Sequence, residues 1–110
     1  MHGLKFLTST LERKTLSQEL QVVVDPLPES DTRLRKVQFI VPQAPQVFAA
    51  IDPSDLDLMT SRPYSQAPIY PGQVIEFWLA PEQRIAAQAN EGVAHTSVIT
   101  EFYATTAAVG

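Results

Sequence analysis

With 110 residues and no cysteine, the chain has room for one domain of ordinary size, held without disulfides or thiolate metal sites. Its net charge of −4 opposes sequence-independent binding to nucleic acid or to an anionic membrane surface. No apolar run approaches the ~20 residues of a membrane-spanning helix, and Met1–Leu7 lacks the features of a signal peptide, so the expectation is a soluble protein made in the cytoplasm.

The first segment, residues 1–13, reads as an extended N-terminal arm or edge strand. Leu4, Leu7 and Leu11 fit a helical spacing, while Leu4, Phe6 and Thr8 fit a strand. So apolar a segment stays ordered only by covering apolar surface, its own or a neighbour's. Residues 14–103 read as a β-sandwich domain. Leu16, Leu20, Val22 and Val24 share one parity, as in a single strand buried on one side. Asp25–Asp31 then reads as a polar connection to a paired strand that puts Val37, Phe39 and Val41 on one face.

Arg33-Leu34-Arg35-Lys36 is the basic run, with Arg33 and Arg35 expected to point outward, where they protect an edge or meet acids on a neighbour. A short strand over residues 46–51 ends at Asp52-Pro53. The nine prolines leave little room for a helix, and the stretch from there to Gly72 reads as a long crossover between sheets. Pro71-Gly72 launches a strand over residues 73–79 whose two faces both carry apolar weight: Ile75, Phe77 and Leu79 on one, Val74 and Trp78 on the other. Ile85, Ala87 and Ala89 alternate with polar residues, Asn90-Glu91-Gly92 reads as a hairpin turn, and a last strand runs through Val98, Ile99, Phe102 and Tyr103. Residues 104–110 form a tail of small side chains. The expected fold is all-β, an antiparallel β-sandwich of jelly-roll type.

Catalytic signatures are thin. His95 sits among Thr96, Ser97 and Thr100, but adjacent strand residues point to opposite faces and cannot converge. Glu76 and Glu101 read as solvated strand residues rather than a glycosidase pair. Asp52–Asp57 lacks the glycine and distal glutamate of a calcium loop and reads as a capped turn. No catalytic, cofactor or metal residue is therefore assigned. Tyr64, Tyr70, Trp78 and Tyr103 would be available for sugar stacking.

The segment Tyr70-Pro71-Gly72-Gln73-Val74-Ile75-Glu76-Phe77, the alanine-rich Ile85–Ala89, then Gly92, Ala94 and Ser97-Val98-Ile99 resemble a pattern in small β-sandwich virion proteins of tailed bacteriophages. The likeness spans residues 35–102. It implies a non-enzymatic capsid cement or decoration protein located in the virion. Its partners would be the major capsid protein or another virion protein, and copies of itself as a dimer or trimer. The alternative is a carbohydrate-binding or tail/baseplate accessory module. The contact residues expected on this reading are Leu4, Phe6, Leu7, Leu11, Arg33, Arg35, Tyr64, Tyr70 and Trp78.

Overall fold

Alternating inward apolar and outward polar positions recur in short stretches, and in the computed structural model these stretches form strands stacked as two sheets. The structure describes residues 3–51 and 67–106. Eight strands follow in chain order: β1 Gly3–Leu16, β2 Gln21–Val24, β3 Leu34–Ile40, β4 Val47–Ile51, β5 Ala67–Ile69, β6 Val74–Leu79, β7 Ile85–Ala89 and β8 Ala94–Thr106. One sheet has the order β1-β8-β3-β6 and the other β2-β7-β4-β5, all pairs antiparallel. This order is that of a jelly roll.

The core lies where the two inner faces meet. Val37 and Phe39 of β3, Phe77 and Leu79 of β6, and Val98 of β8 face Val47, Ile69, Ile85, Ala87 and Ala89 of the second sheet. Phe39 and Phe77 pack edge to face at 6.0 Å, the arrangement favoured by the ring quadrupoles.

Three expectations are corrected. Leu16 and Val24 do not share a strand: the chain turns at Ser17–Leu20, leaving β1 in one sheet and β2 in the other. The Ser17 hydroxyl accepts from the Glu19 N–H and the Ser17 carbonyl from the Ala89 N–H, so a serine turn breaks the run without glycine or proline. Consequently Asp25–Asp31 bridges two sheets rather than two paired strands. Asn90–Gly92 likewise carries the chain from β7 to β8 across the sandwich and is no hairpin.

The N-terminal segment is an edge strand, and the border expected at residue 13 falls inside it. β8 in turn continues to Thr106, past the border expected at residue 103. Between Phe6 and Thr8 the register with β8 shifts, with Leu7 as the extra residue. Such a bulge reverses the parity of everything beyond it.

Gly92 has a φ of +56°, and a Cβ built on it meets nothing within 4 Å. Any penalty for a side chain there is therefore backbone strain alone. Gly92→Val is expected to destabilise by about 1–3 kcal/mol, read from urea unfolding midpoints. An unchanged midpoint would contradict the left-handed turn.

Candidate interaction surface

The outer face of the β1-β8-β3-β6 sheet gathers side chains that lie far apart in sequence. The pairing defines rows across it. Phe6, Tyr103 and Leu34 form the first row; Ser9, Glu101, Lys36 and Trp78 the second. Leu11, Ile99, Gln38 and Glu76 form the third, and Arg13, Ser97, Ile40 and Val74 the fourth. Because of the bulge at Leu7, the even-numbered Phe6 and the odd-numbered Leu11 emerge on this same face. That displacement is also why the apolar residues of β1 mimic a helical spacing.

At one end the rings make a continuous row. Phe6 meets Tyr103 at 5.8 Å, and Tyr103 meets Trp78 at 5.5 Å across β3. Phe6, Leu11, Val74 and Trp78 are each about half exposed or more (52, 60, 57 and 49%). In mid-face, Lys36 Nζ lies 3.1 Å from Glu101 and 3.8 Å from Glu76, and Gln38 Nε2 donates to Glu76 Oε1 at 2.8 Å. β3 therefore separates the two glutamates, which do not lie on paired strands.

The hydrogen bond to Glu101 raises the Lys36 ammonium above its ordinary pKa. Burial, followed by the neighbouring Glu101, raises the Tyr103 phenol. A raised lysine contributes below its unfolded pKa and loses that contribution as pH rises through the folded one. The Lys36 pairing is accordingly intact at neutral pH.

The expected contact residues divide. Leu4, Phe6 and Leu7 stand exposed near the end of β1, and Phe6 joins Trp78 through Tyr103. Leu11 sits further along beside Ile99. Tyr70 is half exposed but lies in the Tyr70–Gln73 turn at the opposite end of β6, away from Trp78. Tyr64 and Asp52–Asp57 lie outside the described residues.

The basic run is corrected. Arg35 is only 2% exposed and points between the sheets. Its Nη1 donates to the Asp25 carbonyl at 2.6 Å, and its Nη2 donates to the carbonyls of Gln83 at 2.8 Å and Pro81 at 3.3 Å. Burial lowers its pKa. It fastens the β2–β3 connection to the β6–β7 connection and offers nothing to a partner. Arg33 grips Asp31 through Nε and Nη2 at 2.7–3.1 Å and lies 4.5 Å over the Phe102 ring. That grip pulls the Asp31 carboxyl below its ordinary pKa. Leu34, Ile40, Ile99 and Tyr103 complete the face; the parity of β3 and β8 is the signal that adds them to the contact set.

His95 is exposed on β8, its Nδ1 3.3 Å from Thr15 Oγ1, while Thr96 turns inward and donates to the Lys14 carbonyl. A cleft of ≈ 200 Å³ at the open side between β1 and β2 is lined by Thr10, Glu12, Lys14, Asp25, Arg35 and Thr100, among others, and by no histidine. Among the described residues no group of three or more His, Asp and Glu is placed to hold a metal ion.

No family model and no curated protein matches the sequence. Solved structures do match in shape. One from Bacillus endospore appendages, described as a family of disulfide-linked pili, is similar with a TM-score of 0.66 over 97% of this chain and 92% of its own. At 8% identity, that likeness is one of fold.

Proposed function

We propose that the chain is a non-enzymatic structural subunit that assembles with copies of itself by burying the outer face of the β1-β8-β3-β6 sheet. The observation that carries this reading is the ring row Phe6–Tyr103–Trp78, whose two outer rings are about half exposed, with Leu11 and Ile99 further along β1 and β8. Apolar side chains in the ring row, at Leu11 and Ile99 and at Ile40 and Val74, with Lys36, Glu101, Glu76 and Arg13 between and beside them, make a surface suited to being covered. The solved chain that is similar in fold comes from Bacillus endospore appendages described as disulfide-linked pili. This chain has no cysteine, so disulfide links play no part in its own assembly.

Capsid cement is the narrower form of this proposal, with the subunits seated on a major capsid protein in a virion. It rests on the resemblance of residues 35–102 alone, and co-sedimentation with capsid shells tests it. The carbohydrate alternative is less well served. The rings are inclined by 44° and 72° to their neighbours, and so form an interlocked ridge rather than a flat shelf for a sugar.

Sedimentation velocity at tens of micromolar tests the assembly reading. Wild-type protein is expected to sediment as an oligomer, and Trp78→Ser as a folded monomer, because Trp78 lies outside the core. A wild-type monomer throughout, or an oligomer indifferent to Trp78, would overturn it.

A further inference from the structure

The same face is complementary to itself in one particular arrangement, and from this we infer that the basic unit is a two-fold dimer packed sheet to sheet. The inference rests on the assembly reading and specifies its geometry. Consider a two-fold axis parallel to the strands, running over the midline between β8 and β3. It lays β1 of one copy over β6 of the other and β8 over β3. Each row then meets its own reverse.

In the second row, Glu101 faces Lys36 of the second copy and Lys36 faces its Glu101. The same row sets Trp78 against Ser9 of the second copy, a small side chain flanked by Phe6 and Leu11. A large residue thus enters a gap left by a small one, as in a well-packed interior. At the margins, Glu76 comes within one row, about 7 Å along the strand, of Arg13 of the second copy. A long arginine side chain spans that offset. Two-fold symmetry supplies each of these contacts twice.

The other in-plane two-fold axis, perpendicular to the strands, sets Glu101 against Ile99 and Trp78 against Glu76. It would strand both carboxylates on apolar side chains. The first arrangement sets Glu101 on Lys36 and only Glu76 on an apolar residue, Leu11 of the second copy, one row from its Arg13, and the charges therefore favour it. Four strands ~4.8 Å apart and four rows ~7 Å apart bury roughly 1,000 Å² in total. This lies at the lower limit for a specific interface and corresponds to a dimer that dissociates at micromolar concentration.

Arg13 and Glu76 provide the test. Within one chain they occupy the opposite edge strands β1 and β6, with β8 and β3 between them, so direct pairing between them must be intermolecular. Arg13→Glu places carboxylate against carboxylate at both copies of this contact in a homodimer. Glu76→Arg places guanidinium against guanidinium at both. Each variant alone is expected to dimerise at least about tenfold more weakly than wild type. An equimolar mixture restores an acid–base pair at both copies of this contact, Glu76 with Arg13 at one and the two exchanged side chains at the other, and is expected to form a heterodimer, read by sedimentation velocity or by native mass spectrometry. Ser9→Glu, on an exposed edge-strand position, gives a second probe by placing a carboxylate against Trp78 of the other copy; it too is expected to weaken the dimer about tenfold.

Failure of the mixture to dimerise, or a dimer insensitive to Ser9→Glu, overturns the two-fold arrangement. If Trp78→Ser still disperses an oligomer that the charge exchanges leave untouched, the assembly reading survives and only this geometry falls. A wild-type chain that stays monomeric at roughly tens of micromolar overturns both.

Discussion

Arg35→Met is expected to destabilise the protein by about 2–4 kcal/mol, since buried carbonyl acceptors deprived of their donor cost roughly 1–3 kcal/mol each. The guanidinium sits between the sheets at 2% exposure and joins two loops that have no strand pairing to hold them together. Its Nη1 and Nη2 serve the carbonyls of Asp25, Pro81 and Gln83. Methionine fills a similar volume and removes the cost of burying a charge, yet it takes the guanidinium donors away from the Asp25 and Gln83 carbonyls. The adjoining bond from the Leu27 N–H to the Pro81 carbonyl, 2.8 Å, would remain between the loops. Chemical denaturation at low concentration, where self-association adds nothing to stability, measures the loss. A change below about 1 kcal/mol, the size of an ordinary surface effect, would mean that the loops are held by other means.

Phe39→Ala is expected to cost a similar amount, about 3–5 kcal/mol, for a different reason. Phe39 is fully buried near the end of β3 and makes the edge-to-face contact with Phe77. β3 is paired on both sides, with β8 and with β6, so the backbone around the deleted ring has little freedom to collapse into the cavity. Loss of the ring contact and a residual void act together. The same denaturation experiment reports it, and a loss under ~1.5 kcal/mol, as for a volume-conserving exchange, would show that the core repacks.

These two residues also mark where the sequence is legible and where it is not. Alternation places Val37, Phe39, Phe77 and Leu79 inside, as the structure does, because a strand buried on one side leaves a period of two that nothing else mimics. Arg35 shares its parity with Val37 and Phe39, so the pattern points it inward as well. The expectation of an outward Arg35 sets that signal aside in favour of the general preference of arginine for solvent. What parity cannot show is the set of loop carbonyls that accept from Nη1 and Nη2 of the buried guanidinium, since these come from residues 25 and 80–83.

Parity fails outright at two breaks. A turn at Ser17–Leu20 happens to preserve the phase of Leu16 and Val24, and so conceals a change of sheet. The bulge at Leu7 shifts the phase within one strand, and so disguises a continuous edge strand as a mixture of helix and strand. The outer surface is half visible for the same reason. Trp78 stands out from the two-sided character of β6. Its joining to Phe6 through Tyr103 depends on the order β1-β8-β3-β6, which no local pattern encodes.

If the outer face becomes covered when the protein assembles, Trp78 must lose its contact with solvent. It is the chain's only tryptophan and stands half exposed on that surface, so its fluorescence reports on assembly without any label. Emission and acrylamide quenching followed over a dilution series, alongside the mass from light scattering, is the most direct measurement. As concentration rises through the assembly midpoint, the emission is expected to shift to the blue and quenching to fall, in step with the increase in mass. Growth in mass with Trp78 still as open to quencher as in the dilute monomer would place the contacts elsewhere and contradict the account.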